Sequence, residues 1–398
     1  MRSVLISPSW PVERAQNGIV TYVSRIAEPL RDQGIDVQVV AHYVDEDLRE
    51  EAKQQGIAVA GLERATPLHY LRNKLWRRLD ATAADTFHQA WRLTRTLRRL
   101  HRKRPIDTYE IEEAFGDGRI LVGRAPGRQV VRLHGPWFLC VPALGLDRNA
   151  LENIKRIEWE GECIRGADAV SSPSKHALDE VRRRYECSLS RAAVIPNATP
   201  LVDRVWSREE AKPRSILFVG RFDRLKGADT VIEAFGRVHA RHPDATLTFV
   251  GPDRGLPDGT GIEAFIDRTL PAAAQENLRW LGARPPSEIE ELRPAHAVTV
   301  IASRFETFGM TVIEAMAAGS PVLGADGGAI PEVLEWADEL VFEAGNSKAL
   351  AAKLDWLFDE VEVAEKLGAR GREVCRDRYS PQAVAKATAA LHRATRKR

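Results

Sequence analysis

The chain has 398 residues, 44% of them hydrophobic and 29% charged, and its 58 basic and 56 acidic side chains leave a formal net charge of +2. At roughly 100–200 residues per domain this makes two domains, or three, each long enough to bury a core, and excludes a peptide-sized binding module. The balanced charge excludes a global electrostatic footprint for nucleic acid, and Cys140, Cys163, Cys187 and Cys375 stand too far apart for a disulfide framework or a zinc site.

In chain order, residues 1–8 hold an apolar core far shorter than that of a signal peptide, and no later run approaches the ~20 apolar residues that span a bilayer. The expectation is a cytoplasmic protein, peripheral to a membrane at most. Short β-branched runs then alternate with amphipathic stretches, the pattern of an α/β fold with parallel sheets and helical crossovers. Strands are predicted at 4–7, 37–41, 129–133, 169–172 and 193–195, with helices at 18–31, 150–165 and 174–185. Pro196 to Pro200 and the charged stretch 207–213 break this rhythm and read as a linker. A second series follows, with strands at 215–219, 246–250, 278–281, 298–301 and 321–324 and helices at 228–241, 311–318 and 349–358. Two doubly wound, Rossmann-like domains facing across a cleft are expected, 1–196 and 197–379, with ligands at the carboxyl ends of the strands.

The segment 301–322 is the densest in chemistry and reads strand, loop, helix, turn, strand. Glu306 falls in the loop, the amides of Phe308, Gly309 and Met310 open the helix, and Glu314 lies about a turn inside. A helix start favours phosphate, and two carboxylates beside it suit the hydroxyls of a nucleotide sugar; for Glu314 alone, complementing the helix dipole explains as much. The loop after the first strand of the second series carries Arg221 and Lys226. They suit a diphosphate leaving group, against the plainer reading of a solvated basic loop. In the first series, Gln16-Asn17-Gly18 opens a helix, where Gly18 either admits a phosphate or only makes the turn. His134 ends a strand aimed at the cleft, although a lone histidine is usually structural.

Other patterns carry less. Gly116-Asp117-Gly118 lacks the third glycine of a dinucleotide fingerprint, Asp45-Glu46-Asp47 reads as a solvated loop rather than a metal site, and GxSxG, HExxH and Walker A motifs are absent. Residues 71–104 hold eleven cations against Asp80 and Asp85, with Trp76, Phe87, Trp91 and leucines at helical spacing. This composition fits peripheral contact with an anionic membrane, and equally an amphipathic helix packed on its own sheet.

Taken together these clusters resemble the retaining glycosyltransferases of family 4, which have the GT-B fold. Glu306 and Glu314 match that family's E-x7-E element, Gly220-Arg221 with Lys226-Gly227 its phosphate loop, Asp326-Gly327-Gly328 with Glu332 its next loop, and Val194 to Asn197 its inter-domain strand end. The resemblance implies a hexosyl transfer from a nucleoside diphosphate sugar, UDP favoured, to a saccharide, lipid-linked or small-molecule hydroxyl. No metal and no cofactor beyond the donor are implied. Arg221 and Lys226 would hold the diphosphate, Glu306 with the amides of Phe308, Gly309 and Met310 the donor sugar and phosphate, and Glu314 the ribose. His134 would lie beside the transferred sugar and Gly18 by the phosphate, with Asn17 where the family often has a further glycine. Loops 62–75 and 136–146, with Trp76, Trp137 and Phe138, would form the acceptor side, and 380–398 would cross back to the first domain. An inverting transferase, an epimerase of the same fold or a non-catalytic nucleotide-sugar binder are the alternatives.

Overall fold

The computed structural model describes residues 1–10, 17–45 and 56–396. It contains two compact units: Met1–Phe138, Arg148–Ala198 and Pro381–Arg398 form the first, and Leu139–Asp147 with Thr199–Ser380 the second. Among the described residues, the first unit has a sheet of β1 (Arg2–Trp10), β2 (Asp36–Val44), β3 (Ala58–Gly61), β4 (Thr108–Glu112), β5 (Arg128–Arg132), β6 (Ala169–Ser172) and β7 (Ala192–Val194) in the order β3-β2-β1-β4-β5-β6-β7. The second has β8 (Lys212–Val219), β9 (Thr246–Val250), β10 (Leu278–Trp280), β11 (His296–Ile301), β12 (Val322–Ala325) and β13 (Val341–Phe342) in the order β10-β9-β8-β11-β12-β13. Every strand pair is parallel.

Both sheets are Rossmann-like, and in each the winding reverses once, between β1 and β4 and between β8 and β11. Loops leaving the carboxyl ends of those strands border the crevice where such sheets take ligands. Parallel strands are covered on both faces, so they carry apolar residues on both. Val4 and Ile6 of β1 pack with Val40, Tyr109, Val131 and Leu97 on one side, while Leu5 packs with Ile26, Leu30, Val39 and Val384 on the other. In the second unit Ile216, Phe218, Phe249, Val298 and Val300 form one core with Val231, Phe235 and Ile313.

The predicted strands and helices are found with ends shifted by a few residues, and three strands appear that the pattern did not show. β3 and β13 are short edge strands. β4 is central, but its Thr-Tyr-Glu-Ile-Glu places a glutamate at alternate positions, which reads as a solvated face. Glu110 is nevertheless 3% exposed, because Tyr22 Oη donates to it at 2.8 Å and His392 Nε2 lies 3.1 Å from its other oxygen. Burial alone would raise the Glu110 carboxyl; His392, Arg132 and Tyr22 outweigh it and hold it below the usual range.

The domain boundaries differ from expectation at one segment. Residues 139–147 group with the second unit, where Arg224 Nη1 donates to the carbonyls of Pro142 and Ala143 at 3.2 and 3.3 Å. Helix Pro381–Arg396 groups with the first unit, where Val384, Ala385 and Ala389 join the core and His392 Nδ1 meets Ser3 Oγ at 2.7 Å.

Candidate functional site

In the second unit the loops after β8 and β11 meet at the point where the winding reverses. The first runs from Gly220 to Gly227 and opens helix Ala228–His239. Gly227 caps that helix in the left-handed region (φ 67°), and a Cβ there would run into the Ala302 carbonyl, so a glycine lets the two loops touch. Arg304, after β11, laces them together. Its guanidinium forks onto Asp229 at 2.7 and 2.8 Å, its Nη1 reaches the Arg224 carbonyl at 2.7 Å, and its backbone N–H donates to the Leu225 carbonyl.

This lacing brings together residues 80 apart in sequence. Lys226 Nζ lies 2.5 Å from Glu306 Oε1, which also accepts from Ser303 Oγ at 2.8 Å. Asp223, which is buried, stands between Arg221 and Lys226 of its loop. Its Oδ2 accepts from Arg221 Nε at 2.6 Å and its Oδ1 from the Lys226 backbone N–H at 2.8 Å. Arg221 remains 43% exposed along its side chain, with its Nε engaged by Asp223. The lysine ammonium has three donors, one of which faces Glu306. Neither cation is therefore an isolated positive charge; each comes with a carboxylate that a phosphate must share or displace.

The segment after Glu306 turns into helix Met310–Ala317 through Gly309, whose φ is 102°. Gly309 has no side chain to cap this helix; the Val312 N–H bonds the Gly309 carbonyl at 3.0 Å, and the helix start as a whole favours an anionic acceptor. Phe308 is buried edge-on against Tyr379 at 5.6 Å between ring centres, which fixes the turn, while Met310 is half-buried at the helix start. Glu314, inside the helix, gives its Oε2 to Arg293 at 2.6 Å. Arg293, in helix Pro286–Ala295, has no sequence signal that would mark it as this partner, and it occupies one of the two oxygens expected for a ribose.

The first unit holds His134 and Gly18. His134 follows β5, and the carboxylate of Glu113, after β4, takes its backbone N–H and that of Gly135 at 2.9 and 2.7 Å. Glu160 takes the Trp137 N–H at 2.6 Å and is held by Arg156 Nε at 2.8 Å; the Arg156 guanidinium lies between the Phe115 and Trp137 rings. The turn carrying His134 is thus clamped from beneath by two buried acids that motif reading did not single out, since neither falls in a motif. Burial and nearby Glu160 push Glu113 up to about 7. The His134 ring meets Tyr22 edge-on at 5.4 Å, and burial with the Arg132 charge holds it well below the usual histidine range, so the imidazole is neutral.

Asn17 caps helix Gly18–Asp32, its Oδ1 accepting from the Ile19 N–H at 2.8 Å. Around Gly18 a Cβ would meet nothing within 4 Å, so packing within the described residues does not require a glycine there. Gln16 lies outside the described residues, as do Glu46 and Asp47 of the acidic triplet. Among the described residues no three His, Cys, Asp or Glu side chains converge as metal ligands would, and no disulfide joins any of the four cysteines. No helix of the described residues is long and apolar enough to cross a membrane.

Comparison with known proteins bears on the family and the fold. The sequence matches the family described as glycosyl transferases group 1 over residues 203–374 and the glycosyl transferase 4-like domain over 17–198. A glycogen synthase of Mycobacterium tuberculosis is 27% identical over 241 residues, 60% of this chain and 57% of its own; the chain thus matches a little over half the length of that relative. Among solved structures, the sucrose-phosphate synthase of Thermosynechococcus elongatus superposes with a TM-score of 0.76 at 21% identity over 99% of both chains. HepE of Anabaena, in complex with UDP, superposes with 0.72 at 18% identity over 99% of this chain and 100% of its own; it has also been solved with UDP-glucose. With two Rossmann-like domains matched nearly end to end by GT-B structures and a family match in each half, the chain belongs to the group 1 glycosyltransferases of the family 4 type.

Proposed function

We propose that the protein moves a hexosyl unit from a nucleoside diphosphate sugar, UDP foremost, to a hydroxyl of a saccharide, lipid-linked or small-molecule acceptor, with retention of configuration. The observation that carries this reading is the junction of two strand-to-helix loops where Lys226 and Glu306 meet at 2.5 Å beside Arg221 and the uncapped start of helix Met310–Ala317. Family membership supports the reaction class, and the UDP and UDP-glucose held by HepE on the same fold support the donor class.

In this reading the bond between the sugar's anomeric carbon and the β-phosphate oxygen breaks, and its electron pair leaves with the phosphate. The terminal nitrogens of Arg221, the outward N–H bonds of Lys226 and the amides of Phe308, Gly309 and Met310 stabilise that charge. The acceptor oxygen bonds to the anomeric carbon on the same face, and its proton passes to the leaving phosphate oxygen. Glu306 orients the donor sugar, Glu314 the ribose, the neutral His134 hydrogen-bonds a sugar hydroxyl, and Gly18 admits phosphate. Fixed cations take the part a metal plays elsewhere.

Thermal shift with UDP, GDP, ADP and their sugars tests the donor: a true ligand at ~100 times its Kd adds ~2.7 kcal/mol to apparent stability. Slow donor hydrolysis in EDTA, releasing the sugar as the donor's anomer, tests the chemistry. No shift with any nucleotide overturns the reading. Hydrolysis lost on chelation and restored by Mg²⁺ overturns its metal-free form, and the opposite anomer overturns retention.

A further inference from the structure

The basic, aromatic stretch 71–104 separates into two helices with different surroundings. In Ala81–Lys103 the apolar stripe is spent on the first unit's core: Ala90, Leu93, Leu97 and Leu100 are buried there. Its arginines turn to the protein as well, Arg92 donating to the Glu63 carbonyl at 2.7 Å, Arg99 pairing with the Glu63 carboxylate at 2.8 Å and Arg98 reaching the Arg124 carbonyl. This helix is the amphipathic helix on its own sheet that composition also allowed.

Helix Pro67–Trp76 and the turn to Leu79 are the reverse. Leu68, Tyr70, Leu71, Leu75, Trp76 and Leu79 are between 53% and 90% exposed. Single exposed apolar side chains are ordinary, but six within twelve residues form a patch. Only His69 of this helix is buried, stacked on Trp91 of the next helix at 3.8 Å between ring centres; Trp76 stacks on Phe87 at 6.3 Å and the Arg72 guanidinium lies 5.7 Å from that ring's centre, so the helix rests on one aromatic strip and its leucines and Tyr70 stay exposed. Arg72, Lys74, Arg77 and Arg78 interleave with the patch, and the segment 67–79 contains no acid. Arg77 pairs with Asp85 at 3.2 Å; Arg72, Lys74 and Arg78 have no carboxylate partner among the described residues.

We propose that residues 67–79 dock the protein on an anionic lipid surface, with the leucines, Tyr70 and Trp76 entering the boundary between headgroups and acyl chains and Arg72, Lys74 and Arg78 meeting lipid phosphates. Apolar anchors interleaved with unpaired cations complement such a surface on both counts. A second copy of the chain is the poorer occupant, because an isologous contact sets the same cations against themselves. The inference goes beyond the sugar-transfer reading, and its test needs neither donor nor acceptor.

The test is co-sedimentation of the full chain with phosphatidylcholine vesicles, with and without phosphatidylglycerol. Binding is expected only with the anionic lipid and is lost at ~0.5 M salt, where screening is nearly complete. Leu75→Asp with Leu79→Asp should cut the bound fraction about tenfold or more, since each replaces an inserted leucine with a repelled carboxylate. Both positions are exposed, so an unchanged melting curve confirms the fold. Arg102→Glu, on the second helix, should leave binding near that of the parent. Equal binding to neutral vesicles, no binding at low salt, undiminished binding by the double variant, or a dimer in solution that the double variant abolishes would each overturn the proposal.

Discussion

Lys226 and Glu306 hold each other across two loops, so removing either also disturbs the other, and a loss of activity in one variant does not say which side chain meets the substrate. A double-mutant cycle does. Lys226→Ala and Glu306→Ala should each lower turnover by about 10²-fold or more, the size seen when a transition-state charge contact is lost. If one neutralises the leaving diphosphate and the other orients the sugar, the losses multiply in the double variant; if the pair acts only as a brace, the double variant is no slower than the worse single one. Near-normal turnover in both singles would remove these residues from the reaction.

A second prediction at this scale concerns Glu112, whose Oε2 has no hydrogen-bond partner among the described residues and whose carboxyl is pushed up to about 8 by burial and the nearby Asp117 and Glu113. An acid with a raised folded value keeps its proton in the native state while the unfolded chain has lost it, so stability is highest below about pH 4.5 and falls as pH rises through about 8. Glu112→Gln cannot ionise. Urea unfolding at pH 5 and pH 9 should show the variant gaining on the parent as pH rises, and equal pH slopes would mean that Glu112 titrates as it does in water.

At the scale of elements, the site depends on how closely two loops approach, and Gly227 sets that distance. Gly227→Ala places a methyl against the Ala302 carbonyl and asks alanine for a left-handed φ of 67°. The expected cost is about 2 kcal/mol, the usual range for such strain, with nucleotide-induced thermal shift weakened as Lys226 and Glu306 move apart. An unchanged shift and melting temperature would show that the loops do not need this contact. The strands flanking the site were legible because β8 and β11 are apolar runs bounded by turns, and Arg221, Lys226 and Glu306 because they stand in loops after them. β4 was hidden because its buried acid is balanced from helix Pro381–Arg396, 282 residues away, a distance local periodicity cannot read. Arg293, Glu113 and Glu160 were hidden for the same reason: each acts through a partner that only the fold brings near.

At the scale of the whole molecule, the chain ends in the unit where it began. Helix Pro381–Arg396 packs Val384, Ala385 and Ala389 on the first unit's core and sets His392 against Ser3, Thr108 and Glu110 of its two central strands. A buried carboxylate stripped of its main partner is costly, about 3 kcal/mol or more, so His392→Ala should weaken the N-terminal unit although the substitution lies in the last ten residues. Because Glu110 is held below its usual range, the stabilisation it carries is present above about pH 4.5 and lost as pH falls through that lowered value; the variant and parent should therefore converge in acid. Hydrogen exchange read by mass spectrometry separates the units within one intact chain. Peptides from β1 and β4 should exchange faster in His392→Ala at pH 7, those from β8 and β11 at the parental rate, and the difference in β1 and β4 should shrink only as pH falls below about 4.5. Faster exchange spread equally over both sheets would mean that the two units unfold as one, and no change in β4 would mean that Tyr22 and Arg132 hold Glu110 without the returning helix.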